Sequence, residues 1–193
     1  MRTLKIIIIA FLIVSINETL FAQEKWSVEI RPGLKLPTKD IGDADLKVGF
    51  GFEATIAYNF MEHLAGYAGW GYNTFRAVNS FAGEDADFDE TGYTFGLRFI
   101  HPIGDSSLSL LARAGGIYNH IEVESESGDI NIDSGHGLGW EIGAGLDIDL
   151  GKNWSLRPQI GYRSLSRDLE ITNTTIDAKL NYISFDMGIS KRF

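Results

Sequence analysis

HGLGWEIGAGLDIDL, residues 136–150, holds two interleaved sequences. Its even positions read Leu138, Trp140, Ile142, Ala144, Leu146 and Ile148; its odd positions read Gly137, Gly139, Glu141, Gly143, Gly145 and Asp147. Alternation sustained over about a dozen residues signals a β-strand, because successive side chains of a strand leave on opposite faces. The bulky face turns either to a core in water or to lipid in a membrane barrel. That choice decides what kind of protein this is.

The same period of two recurs along the chain. Residues 26–36 (WSVEIRPGLKL) put Trp26, Val28, Ile30 and Leu34 on one face, and residues 47–58 do so with Val48, Phe50, Phe52, Ile56 and Tyr58. The apolar sets continue with Leu64, Trp70 and Tyr72 in 64–75, then with Tyr93, Phe95, Leu97 and Phe99 in 91–100. Leu108, Leu110, Ala112, Ala114 and Tyr118 follow in 107–118, and the opening stretch spans 136–149. Trp154, Leu156, Ile160 and Tyr162 mark 154–165, and Ile183, Phe185, Met187, Ile189 and Phe193 mark 180–193. Eight strands are expected. Short turns at 59–63, 101–106 and 150–153 alternate with long polar loops at 37–46, 76–90, 119–135 and 166–179. That alternation predicts an all-β, eight-stranded, antiparallel up-and-down transmembrane β-barrel with one plain rim and one elaborated rim.

Three observations turn the bulky face outward. An eight-stranded barrel has an interior only just wide enough for side chains, and all four tryptophans lie on the bulky face. The opposite face carries Glu29, Glu53, Glu141, Asp147 and Asp186 against Arg31, Arg98, Arg113, Arg157 and Arg163. Five acids meet five arginines in a chain whose net charge is −9, as expected of charges that must pair away from water. The third observation is a sorting of aromatics. Trp26, Tyr58, Phe99, Trp154 and Phe193 fall near one rim, and Trp70, Tyr72, Tyr93, Tyr118, Trp140 and Tyr162 towards the other. Two aromatic girdles suit the two membrane interfaces. Pro32 and Pro158 fall inside strands, where a closed barrel has no free edge for a residue without an amide donor, so a bulge or local break is expected at each.

The N-terminus, MRTLKIIIIAFLIVSINETLFAQE, joins Arg2 and Lys5 to the apolar run Ile6–Val14 and to Ala22 before Gln23. It reads as a secretory signal peptide over 1–22, cleaved after Ala22, with the barrel domain over 23–193. The apolar run is too short for a spanning helix, which needs about 20 residues. The chain has no cysteine, which removes lipid attachment at a processed Cys and any disulfide. Its acidity argues against a nucleic-acid partner. The eighth strand takes up the last residue, so no second domain is expected.

With signal, strands and terminal strand in hand, the chain resembles the small outer-membrane β-barrels of Gram-negative bacteria. These include the membrane domain of outer membrane protein A, the OmpX and opacity-type adhesins, and the outer membrane protein beta-barrel domain group common in Bacteroidetes. The sharpest motif is YISFDMGISKRF, with Phe185, Met187, Ile189 and Phe193 at alternating positions. The resemblance implies that this strand is the signal read by the barrel-assembly machinery. Lys191 departs from the aromatic or aliphatic residue usual at its place. The resemblance also implies outer-membrane location, contact with lipid and lipopolysaccharide, and long loops available to an extracellular ligand.

Chemistry is sparse. His63 and His101 fall in short turns, while His120 and His136 flank the third long loop and come near each other at the outer rim. No histidine shares a motif with a serine and an acid, serines such as Ser164 and Ser166 notwithstanding. No catalytic residue, cofactor or metal site is assigned. GEDADFDE, residues 83–90, alternates Asp85, Asp87 and Asp89, but Glu90 stands where a calcium loop needs glycine and Gly96 where it needs an acid. This stretch and the acidic EVESESGDINID read as solvated loops, with divalent-cation bridging to lipopolysaccharide phosphates as a secondary possibility. The expected role is structural or surface-interacting, adhesin-like, with a charge-paired lumen and no open pore. A small channel and a lipid- or lipopolysaccharide-modifying enzyme stand as alternatives.

Overall fold

The computed structural model describes residues 24–39, 41, 44–80, 83–124, 130–171 and 174–193. The expected signal peptide and its cut after Ala22 lie outside the described residues. Nine strands form: β1 (Trp26–Pro37), β2 (Gly49–Asn59), β3 (Leu64–Ser80), β4 (Gly83–Pro102), β5 (Leu108–Glu124), β6 (Ile130–Asp133), β7 (Gly137–Gly151), β8 (Trp154–Ile171) and β9 (Thr174–Arg192). Neighbours pair antiparallel in the order β4-β3-β2-β1-β9-β8-β7-β5, and β4 pairs with β5 to close the ring. β6 is the exception, a short strand hung on the far end of β5. The barrel wall therefore has the eight expected strands.

The turns β2–β3, β4–β5 and β7–β8 gather at one rim with the start of β1 and the end of β9, where Trp26 and Phe193 exchange backbone hydrogen bonds of 3.4 and 2.8 Å. The β7–β8 turn is the tightest. Lys152 and Asn153 sit at φ of 53° and 66°, the left-handed pair that a two-residue hairpin needs to match strand twist.

The outer wall is apolar. Trp26, Trp70, Trp140 and Trp154 are all exposed on it, as are Ile142, Ile160, Phe185 and Met187, while Glu141 and Arg157 are buried. The bulky face of the opening stretch is the outside of the barrel.

The expectations about the four long loops are corrected. Residues 76–90 and 166–179 are not loops for most of their length, since β3 and β4 pair up to Ser80↔Gly83 and β8 and β9 up to Ile171↔Thr174. In 119–135, β5 runs on to Glu124 and β6 pairs back onto it. The backbone ladder outlasts the hydrophobic pattern because hydrogen bonding does not depend on which face is apolar.

What changes at the boundary is the sign of the pattern. Along β5, Leu110, Ala112 and Tyr118 face out and Arg113 in; higher up, Ile121 and Val123 face in and are buried. Past the lipid the outer face meets water, so apolar side chains turn inward as in a soluble protein. Phe75, Ala77, Phe88, Leu165 and Leu180 do the same on other strands, and Ile41, Ala44 and Leu46 from the β1–β2 connection fold over them. The upper mouth is thus filled by an apolar cap. The expectation that 37–46 is simply a polar loop is corrected accordingly, Ile41 and Ala44 being fully buried.

Both prolines produce local breaks, without bulges. The β1–β9 register passes from Ile30↔Ile189 directly to Gly33↔Asp186, skipping Pro32. The β7–β8 register passes from Gly145↔Gln159 to Ile148↔Leu156, skipping Pro158. The offset is the same on both sides of each gap, so a missing donor costs ladder bonds but not register.

Candidate functional site

On each strand the residues opposite the apolar set project into the lumen, where no water layer can hydrate them, so they must satisfy one another. All ten sequence-predicted charges are buried there, and the structure brings them into layers. In the lower layer Arg157 donates from Nε to Asp147 and from Nη1 to Glu29, each at 2.6 Å. Arg98 reaches the same Glu29 carboxylate at 3.4 Å and donates to Ser27 Oγ at 2.9 Å. Gln159 Nε2 donates to the other Glu29 oxygen at 3.0 Å.

The middle layer is a lattice in which each carboxylate is shared. Arg31 donates to Glu53 at 2.7 Å and Arg113 donates to the same oxygen at 3.0 Å. Arg163 donates from Nε to Glu141 at 2.8 Å and also pairs with Glu53, and Arg113 pairs with Glu141. The space left beside Arg31, Arg113, Glu141, Arg163 and Asp186 is about 20 Å³, room for about one water.

Several members escaped the sequence reading. Lys35 pairs with Asp186, and Glu90 accepts from Tyr182 at 2.6 Å and Asn73 at 3.1 Å, with Asn119 on its other oxygen. Lys35 shares the parity of Arg31, which was the available signal. Glu90 was hidden in a stretch read as a solvated loop. Adding both keeps anions and cations equal among these pairs. Arg167 is a further buried cation, satisfied by the carbonyls of Asn119 at 3.1 Å and Leu138 at 3.1 Å and by Asn119 Oδ1 at 2.6 Å.

Tyr67 spans the lumen, donating to Glu141 at 2.6 Å while the Arg113 guanidinium stacks 4.4 Å from its ring centroid. It lies against Gly96 and Gly115, where any Cβ would overlap its hydroxyl and the neighbouring backbone. Glycine is required there by close approach.

At the outer rim the GEDADFDE stretch is part of β4, so its acids divide between faces. Asp89 accepts from Tyr72 on the outer side at 2.5 Å, and Glu90 points into the lumen. The expected rim pair is present: His120 and His136 stack with centroids 4.3 Å apart and planes at 15°. His120 Nδ1 lies 3.0 Å from Asp133 and 3.7 Å from Glu122. Partial burial pulls the Asp133 pKa up, but the His120 hydrogen bond, the Gly135 N–H and the nearby imidazoles outweigh it and hold the carboxyl below its ordinary value. At the opposite rim His63 and His101 meet edge-on at 4.8 Å. The rim imidazole of His120 hydrogen-bonds to Asp133, and Ser134 Oγ accepts from Ile121 N at 2.8 Å and donates to Gly135 O at 3.0 Å. Residues 37–47, 76–90, 119–135 and 166–179 carry sixteen Asp and Glu against five Lys and Arg.

A family model described as "Outer membrane protein beta-barrel domain" matches residues 7–185. Among solved structures the chain is similar to Neisserial surface protein A, with a TM-score of 0.63 at 15% identity over 89% of this chain and 98% of that one. OprG from Pseudomonas aeruginosa follows at 0.58 and 14% identity, covering 88% and 96%. Ail, the attachment invasion locus protein of Yersinia pestis, superposes at 0.52 and 19% identity, covering 88% and 99%, in a complex with the heparin analogue sucrose octasulfate. No curated protein matches the sequence.

Proposed function

The chain belongs to the outer membrane protein beta-barrel domain family, and on that premise we propose that it is a non-enzymatic outer-membrane barrel whose working surface is its set of outer hairpins. The observation that carries this reading is the doubly closed lumen. A shared carboxylate–arginine lattice fills the middle, and the apolar cap of Ile41, Leu46, Phe75, Phe88 and Ile121 fills the mouth. A solute would have to break several buried ion pairs at once, at several kcal/mol for each stranded charge. What is left accessible is the outer wall, which meets lipid, and the hairpins of β3–β4, β5–β6 and β8–β9, which extend beyond it.

The charge of those hairpins constrains the partner. Ail is seen with a polyanionic heparin analogue, but residues 37–47, 76–90, 119–135 and 166–179 carry fifteen acids against four bases once the lumen-facing Glu90 and Arg167 are set aside, an excess that repels a polyanion. A cationic partner suits it, or phosphates of neighbouring lipopolysaccharide reached through divalent cations. Removal by EDTA should then loosen the hairpins to protease. The terminal strand supports a second assignment. Phe185, Met187 and Ile189 stand on the lipid face, with Phe193 directly after β9 and hydrogen-bonded to Trp26, as an assembly signal for the barrel-assembly machinery should. The signal peptide over 1–22 accounts for export.

The test pairs two measurements on the purified, refolded protein. In planar bilayers it should give no steady conductance. In proteoliposomes it should adhere to immobilised polylysine and not to immobilised heparin, with adhesion weakened when residues 78–86, which carry Glu84 and Asp85, are replaced by a two-residue turn. Stable openings would replace this reading by the channel; heparin binding would overturn the charge argument.

A further inference from the structure

We propose that His120, Glu122 and Asp133 form a binding site for a divalent transition metal of the zinc class on the outer face of the β5–β6 hairpin. His120 and Glu122 are two apart on β5 and so share a face, and Asp133 on β6 is the register partner of Glu122. One ligand atom from each lies within 4.8 Å of the other two. His120 Nδ1 is 3.0 Å from an Asp133 oxygen and 3.7 Å from a Glu122 oxygen. Ligands at zinc bond lengths of about 2.0–2.1 Å in a tetrahedron stand about 3.3 Å apart, so the spacing needs only a small adjustment to close on an ion.

An independent observation points the same way. Glu122 and Asp133 are carboxylates directly opposed across an antiparallel ladder, an arrangement that destabilises a sheet unless a cation stands between them. Among the described residues, the ion pairs of both acids are with His120, not with a Lys or Arg. A single imidazole balances at most one of the two charges; a divalent ion balances both. It also ties β6 to β5 at the point where the register shifts between Val123 and Glu124.

The donor set selects the metal. Calcium and magnesium prefer all-oxygen shells, whereas one imidazole with two carboxylates suits zinc and its neighbours and leaves a fourth position open. Asp133 is positioned before any ion arrives, since the Gly135 N–H donates to its Oδ1 at 2.8 Å. The stacked His136 ring braces His120. The sequence reading assigned no metal to His120 and His136; the two acids that complete the site become visible only once β6 folds back.

The experiment is isothermal titration of zinc chloride into the untagged, chelator-stripped barrel in detergent, with calcium and magnesium chloride as competitors. One saturable site per chain is expected, undisturbed by a hundredfold excess of calcium or magnesium. His120→Ala and Asp133→Asn should each weaken it at least tenfold, while His63→Ala, at the opposite rim, should leave it unchanged. The faster migration of unboiled samples on denaturing gels verifies that every variant is folded. Absence of saturable zinc binding, equal binding by the folded His120→Ala protein, or displacement by calcium would each overturn the assignment.

Discussion

Replacing Arg157 by alanine offers a sharp test of the buried lattice. Its side chain is 1% exposed and donates to Asp147 and to Glu29, each at 2.6 Å. The two acids are not equally dependent on it. Glu29 keeps Arg98 at 3.4 Å and Gln159 at 3.0 Å. For Asp147, Arg157 is the one cation within ion-pair distance among the described residues. Arg157→Ala therefore strands one carboxylate in the lumen, and breaking a buried pair from one side costs about 3–5 kcal/mol. Adding Asp147→Asn removes the stranded charge and should restore at least about 2 kcal/mol, so the double variant is more stable than the single one. That coupling is the diagnostic, because a mere packing defect at Arg157 would leave the two changes additive. The assay is urea unfolding in phosphatidylcholine vesicles followed by tryptophan fluorescence, all four tryptophans being on the lipid-facing wall. A loss under about 1 kcal/mol for Arg157→Ala, or no recovery in the double variant, would mean that water hydrates Asp147 and that the lumen is open there.

Other perturbations probe the remaining parts of the structure. Phe88→Ala should cost about 3–5 kcal/mol in the same unfolding assay, because Phe88 is fully buried in the apolar cap and its removal leaves a cavity. Gly115→Leu should destabilise by about 1–3 kcal/mol through overpacking against Tyr67, with a Tyr67→Ala background relieving part of the loss. Ile160→Arg, on the outer wall where Ile160 pairs with Ala144 and Phe185, should cost about 2–4 kcal/mol in vesicles. Tolerance of that arginine would contradict lipid contact at this height.

Period-two patterning is a local property. It therefore reported, from the sequence alone, the strands of the wall, the outward turn of Trp140 and Ile142, and the inward set from Glu29 to Asp186. Each strand was legible wherever lipid lay on one side and the lumen on the other. Above the lipid the same rule ran in reverse, and Ile121, Val123, Leu165 and Phe88 were passed over. Their alternation survives, but its meaning depends on the solvent outside, which no short window of sequence contains. Partner choice was beyond reach for a different reason. Arg157 meets Glu29 from 128 residues away and Arg163 meets Glu53 from 110; such meetings depend on ring closure and on the register of every intervening strand. The Asp133 carboxylate reaches His120 by the same logic on a smaller scale, through a fold-back of β6 that only the tertiary structure decides.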